Sequence, residues 1–122
     1  MNLASKAKQS VNAELLKMLE SESFLARACA MDEIGERLNI KFDETLLQKL
    51  VKAIREDRNL QKRIRGTITV SHVGMVNLGR IKDRRANDAF QNLLDLWQIS
   101  DKQDLLWFLN SEGVAVNELV LV

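Results

Sequence analysis

No proline and no tyrosine occur in the 122 residues, and cysteine and histidine occur once each, as Cys29 and His72. Without proline the chain lacks the strongest helix breaker, so long helices are unobstructed. A single cysteine excludes an intrachain disulfide, and a zinc site built on one Cys and one His would need two carboxylates to complete it. No aromatic residue falls in 52–85, so that stretch offers no platform on which bases could stack. No apolar run approaches the roughly 20 residues that a membrane helix needs. The start, MNLASKAKQSVNAELLKMLE, lacks the compact apolar run of a secretory signal. These absences lead us to expect a soluble, cytoplasmic protein in a reducing environment, with no cofactor and no metal.

What is present favours helix. The chain is rich in Leu, Ala, Lys, Arg, Glu and Gln, all good helix formers. A hydrophobic content of 46% is that of a globular protein. Its length fits one domain, residues 1–122, able to bury roughly two-thirds of the unfolded surface. Apolar periodicity predicts one helix from about Asn2 to Glu20, carrying Val11, Leu15, Met18 and Leu19 on one face. A second carries Phe24, Leu25, Ala28, Met31, Ile34, Gly35 and Leu38, with Cys29 an inert small residue beside them. A third starts at Asp43 with Leu46, Leu47, Leu50, Val51 and Ile54. The phase then slips, which predicts a kink within 56–59 and a short helix capped by Asp57 or Asn59.

Thr67 to Val70, TITV, is the one run of β-formers and predicts an extended connection or short strand. Ser71 can start a further helix that continues through Ala86, Ala89, Phe90, Leu93, Leu94 and Trp97, although Gly74 and Gly79 weaken its first half. Ser100 to Gln103 reads as a capping box, and Gly113 as a left-handed stop. The tail, VAVNELVLV, is ambiguous between a strand paired with TITV and a short helix from Asn117. The expected fold is therefore all-α: a compact bundle of five to six helices with, at most, a minor short β-hairpin. Leu15, Leu19, Leu38, Leu50, Ile54, Phe90, Leu94, Trp97 and Phe108 should lie in its core.

Charge is the most informative pattern. Residues 52–85 carry ten Lys or Arg against three Asp or Glu, whereas residues 86–122 carry one against six; the whole chain is nearly neutral at +1. The ten are Lys52, Arg55, Arg58, Lys62, Arg63, Arg65, Arg80, Lys82, Arg84 and Arg85. On one continuous helix Arg55, Arg58, Lys62 and Arg65 would share a face. Seven of the ten are Arg, whose planar fork matches phosphate oxygens. The block predicts a non-enzymatic nucleic-acid-binding protein that grips the sugar–phosphate backbone of RNA or DNA, such as an accessory subunit of a nucleoprotein complex. The alternative is a helical assembly or adaptor protein, its basic face meeting an acidic protein partner or the acidic third of a second copy.

Weaker patterns point elsewhere. Arg65-x6-His72 has the residue types of a metal-independent ribonuclease, in which His would move the 2′-hydroxyl proton and Arg stabilise the phosphorane. The intervening GTITVS, however, is a poor helix sequence. Gly74-MVNL-Gly79 has the glycine spacing of a phosphate-binding loop, but Arg80-Ile81 stands where Lys and Ser or Thr are required. TVSHVGMVNLGRI is similar, at compressed spacing, to the recognition helix and turn of winged helix-turn-helix repressors. Asp32, Glu33 and Glu36, and Asp101 with Asp104, read as solvated helix carboxylates, the latter pair favoured by the helix dipole.

Overall fold

The computed structural model describes residues 2–116, and among these the chain is a bundle of eight helices with one short hairpin. The order is α1 (Leu3–Gln9), α2 (Asn12–Leu19), α3 (Phe24–Ile40), α4 (Glu44–Arg55), α5 (Asp57–Gln61), β1 (Arg63–Arg65), β2 (Ile68–Thr69), α6 (Val70–Gly79), α7 (Arg84–Asp95) and α8 (Ile99–Ser111). The all-α expectation holds, with more and shorter helices than the apolar periodicity suggests. Each additional break has a local cause.

The expected helix over 2–20 divides at Ser10. Arg37 of α3 reaches back to it, donating to the carbonyls of Ala7 at 3.0 Å and Ser10 at 2.6 Å and to Asn12 Oδ1 at 2.8 Å. Its remaining nitrogen, Nε, donates to Glu33. One guanidinium thus satisfies the orphan carbonyls at the end of α1 and holds the turn into α2. Val11, expected on the apolar face, instead sits in that turn and is exposed.

The kink after α4 falls where it is expected, but its mechanism differs. Neither Asp57 nor Asn59 caps α5, whose N-cap is Glu56. Asn59 is fully buried: its amide donates to Ala53 O at 2.8 Å, and its Oδ1 accepts from Arg27 Nε at 2.7 Å. The side chain therefore ends α4 rather than starting α5. Ser71 does the same for the next carbonyl, donating to Ile54 O at 2.6 Å.

Antiparallel β1 and β2 turn through Gly66, whose φ of +58° glycine adopts without steric cost. Arg63 opposes Thr69 and Arg65 opposes Ile68. Among the described residues the partner of TITV is the preceding segment, and residues 117–122 of the tail lie outside the described residues. Helix α6 begins at Val70, capped by Thr69 Oγ1 on the His72 amide, two residues ahead of the expected Ser71. It stops at Gly79, because buried Ile81 and the cap at Asp83 start α7 afresh. The cap of α8 is Gln98, with Ser100 already inside the helix. Gly113, at φ +77°, closes α8 as expected: the Gly113 amide bonds Asn110 O and the Val114 amide bonds Leu109 O.

Helix α6 is the axis of the bundle, packing against α3, α4, α5, α7 and α8, while α1 and α2 cover the other side of α3. Eight of its ten residues are buried. The two glycines that argued against helix here are what allow it to be so central. A Cβ on Gly74 would lie 2.5 Å from Ile54 Cγ1 and 3.0 Å from Met31 Sδ, and one on Gly79 would lie 2.6 Å from Val114 Cγ1. The entropic cost of two helical glycines is offset by the approach of neighbouring helices that no larger residue permits. The expected core residues are all buried, except Phe108, which packs half-buried against them.

The Gly74→Ala variant should lose about 1–3 kcal/mol by overpacking against Ile54 and Met31, measured by urea unfolding. At an exposed helical position the same change would be stabilising.

Candidate nucleic-acid interface and the buried histidine

The structure separates the ten basic residues into two groups. Lys52 and Arg55 end α4, Arg58 lies on α5, Lys62 follows it, and Arg63 and Arg65 are on β1. Arg80, Lys82, Arg84 and Arg85 follow α6. Between the hairpin and the α6–α7 loop runs α6, about 15 Å long, whereas Arg85 lines one groove with Lys52 and Arg55. The shared helical face of Arg55, Arg58, Lys62 and Arg65 does not form, because the chain breaks at Glu56 and becomes a strand at Arg63.

Several of these cations are committed within the chain. Arg85 makes a two-point pair with Asp83, at 3.1 and 3.0 Å, and its guanidinium stacks 3.6 Å from the Phe42 ring centroid. That pairing raises the Arg85 pKa and holds the Asp83 carboxyl below its ordinary value. Arg80 donates to Glu112 O at 2.9 Å and lies 3.3 Å from its carboxylate. Arg58 faces Glu56 at 3.8 Å, and Lys62 sits 4.5 Å over the Phe24 ring.

Among the described residues no ion pair engages Lys52, Arg55, Arg63, Arg65, Lys82 or Arg84. Arg63 and Arg65 are both exposed on β1, with a register irregularity between them, while Ile64 packs on the core. Lys52 and Arg55 border an open groove of about 760 Å³ between α4 and α7, with Arg85 opposite. Glu44, Glu56 and Asp88 line the same groove, so it carries both signs of charge.

His72 is fully buried. The Thr69 amide can only donate, so Nδ1, 3.2 Å away, accepts from it. The ring proton then sits on Nε2 and is donated to Asp101 Oδ2 at 2.7 Å. The same oxygen accepts the Trp97 indole N–H at 2.8 Å. The imidazole thus locks the start of α6 to α8 and to the end of α7, and both its nitrogens are occupied. Arg65, by contrast, is exposed on the hairpin, and among the described residues no hydrogen bond or ion pair joins it to His72.

Helix α6, the candidate recognition helix, buries the side chains that would have to enter a groove. The glycines Gly74 and Gly79 lie inside that helix and form no loop around an anion. Cys29 is half-buried, and burial, followed by nearby Asp32, raises its thiol pKa, consistent with an inert residue.

Sequence reasoning missed this buried network. The available signal was that residues 66–79 contain no charged residue between two strongly basic stretches. Glu33 and Glu36 pair with Lys8, and Glu33 also with Arg37. Asp32 accepts a 2.6 Å hydrogen bond from the Asn77 amide. Loss of water at the α3–α6 contact raises its carboxyl pKa, and Glu36 and Glu112 add to this against the Asn77 bond and Arg80.

The chain matches no protein-family model, no curated protein and no solved structure. Among the described residues no helix is long and apolar enough to cross a membrane, and no three His, Cys, Asp or Glu gather as a metal site would require.

Replacing His72 with Ala removes the partner of both the Thr69 amide and Asp101 and leaves a cavity; a loss of about 3 kcal/mol is expected in chemical denaturation. A second expectation concerns pH. A raised carboxyl pKa means that folding favours protonated Asp32, a contribution fully present below the ordinary aspartate value of 3.8 and lost as pH rises through the folded value. Asp32→Asn keeps an acceptor for Asn77 and should be more stable than the parent at pH 7. That advantage should vanish below pH 3.8.

Proposed function

We propose that the protein binds nucleic acid through the sugar–phosphate backbone, with the β1–β2 hairpin and the C-terminal turn of α4 as the contacting surface. The observation that carries the reading is that Arg63 and Arg65, two residues apart on β1, are both exposed with no carboxylate partner among the described residues. A guanidinium already paired internally gives up that partner when it meets a phosphate, whereas these two have none to lose. The hairpin is held from beneath by Ile64 on the core and by the bond from the Val70 amide to Lys62 O. The backbone that carries its cations is therefore set before any ligand arrives. Lys52 and Arg55, at the end of α4, add two further cations with no ion-pair partner among the described residues.

With no aromatic residue on this surface, contacts to phosphate and sugar predominate over base readout, and little sequence preference is expected. Salt dependence is the corresponding signature, because each neutralised phosphate releases counterions.

The test is fluorescence anisotropy with single- and double-stranded RNA and DNA over a range of salt. Log affinity should fall linearly with log salt. An Arg63→Glu/Arg65→Glu variant should lose roughly tenfold or more in affinity, with the slope shallower by about 2, while its helical circular dichroism is unchanged. Equal affinity in that variant, or no binding at low salt, would overturn the reading. The second result would favour an assembly role, for which α8 offers Ile99 and Trp107, 88% and 64% exposed beside exposed Leu96.

A further inference from the structure

The loop that joins α6 to α7 builds a separate site. It closes one side of an open cavity of about 560 Å³ whose charged lining is Arg80, Lys82, Asp83 and Arg84, with Ile81 and Val114 among its apolar residues. Three cations face one carboxylate, and that carboxylate is already held by Arg85. The cavity is thus short of negative charge, unlike the α4–α7 groove, where the two signs balance.

The loop is also fixed in place. Asn39, near the end of α3, donates to Arg80 O at 3.0 Å and accepts from the Lys82 amide at 2.7 Å, clamping the backbone on both sides of Ile81. The Ile81 side chain is buried in the core. Gly79 lies against Val114 too closely for any Cβ, so the segment after α8 forms the opposite wall. Arg80 is tied to that wall through Glu112. Lys82 and Arg84 are exposed, and among the described residues neither has an ion-pair partner.

A rigid backbone carrying two unengaged cations, one step on either side of a committed carboxylate, has already met the backbone part of the ordering cost of binding. We infer that this cavity is a binding site for a phosphate group bearing two or more negative charges, with Lys82 and Arg84 as its principal contacts. Arg84 suits a two-point contact to phosphate oxygens, and Lys82 a point contact. The phosphate could be supplied by a free polyphosphate anion or by the phosphorylated end of a nucleic acid. The site stands independently of the hairpin, which lies at the other end of α6.

The experiment is titration of the full chain at low salt with inorganic pyrophosphate, followed by amide chemical shifts and calorimetry. Saturable shifts confined to the amides of Lys82–Asn87 and Gly113–Ala115 are expected. Lys82→Ala/Arg84→Ala should weaken binding at least tenfold, whereas Arg63→Ala/Arg65→Ala should leave it unchanged. Both pairs are exposed, so folding is not at stake, and circular dichroism checks this. Shifts spread over all basic surfaces, or equal binding by the Lys82/Arg84 variant, would overturn the assignment. Competition by a 5′-phosphorylated dinucleotide, compared with its 5′-hydroxyl form, separates the sources: a strong preference for the phosphorylated form over pyrophosphate assigns the phosphate to a nucleic-acid end, and the reverse assigns it to a free anion. Loss of nucleic-acid binding by the hairpin variant alone, with pyrophosphate still bound, would show the two sites to be distinct.

Discussion

Helix α6 has almost no exposed surface, so every polar group it carries needs a partner inside the protein, and the rest of the bundle is arranged to supply them. Ser71 finds the Ile54 carbonyl of α4, His72 finds Asp101 of α8, and Asn77 finds Asp32 of α3. Three polar side chains therefore tie one helix to three different neighbours. A buried donor left unmet costs more than a satisfied one contributes, so these bonds act mainly by penalising other packings. They fix the rotation and the register of α6, which its apolar residues, spread around the whole circumference, do not. The glycines add a steric condition: only with no Cβ at 74 and 79 do Ile54 and Val114 reach their positions.

The same logic recurs at the periphery. Arg27 and Arg37 are charged residues on the long helix α3, yet neither serves as a solvated surface group. Arg37 ends α1, and Arg27 holds Asn59 at the end of α4 while bonding Ser21 O and Glu22 O before α3. Burial, and the nearby positive charge of Arg58, lower the Arg27 pKa, and its hydrogen bonds to neutral acceptors hold it in that position. Short helices are marginal alone. Here their ends are completed by side chains from elsewhere in the chain.

Placing α6 in the core also decides the electrostatics. A basic run that looks continuous in the sequence becomes a hairpin cluster at one end of the helix and a loop cluster at the other. Internal pairing then divides the cations further: Arg80 and Arg85 have ion-pair partners, and among the described residues Arg63, Arg65, Lys82 and Arg84 have none. The basic surface left unpaired among the described residues is accordingly smaller than the count of positive charges implies.

The sequence by itself determined the helical class, eight of the buried core residues, the cap at Asp43, the stop at Gly113 and the extended character of Ile68 and Thr69. These follow from local propensity and from periodicity, which act over a few residues. It also determined how many cations there are. Only the tertiary structure decided which of them are paired among the described residues, because pairing depends on residues distant in sequence, as with Arg80 and Glu112. It likewise decided that Asn59 ends a helix instead of starting one, that α6 tolerates two glycines, and that His72 is a core lock. A helix buried all round has no amphipathic period to read, and a histidine's role depends on what reaches its two nitrogens. For His72 those partners are the Thr69 amide, three residues away, and Asp101, twenty-nine residues away.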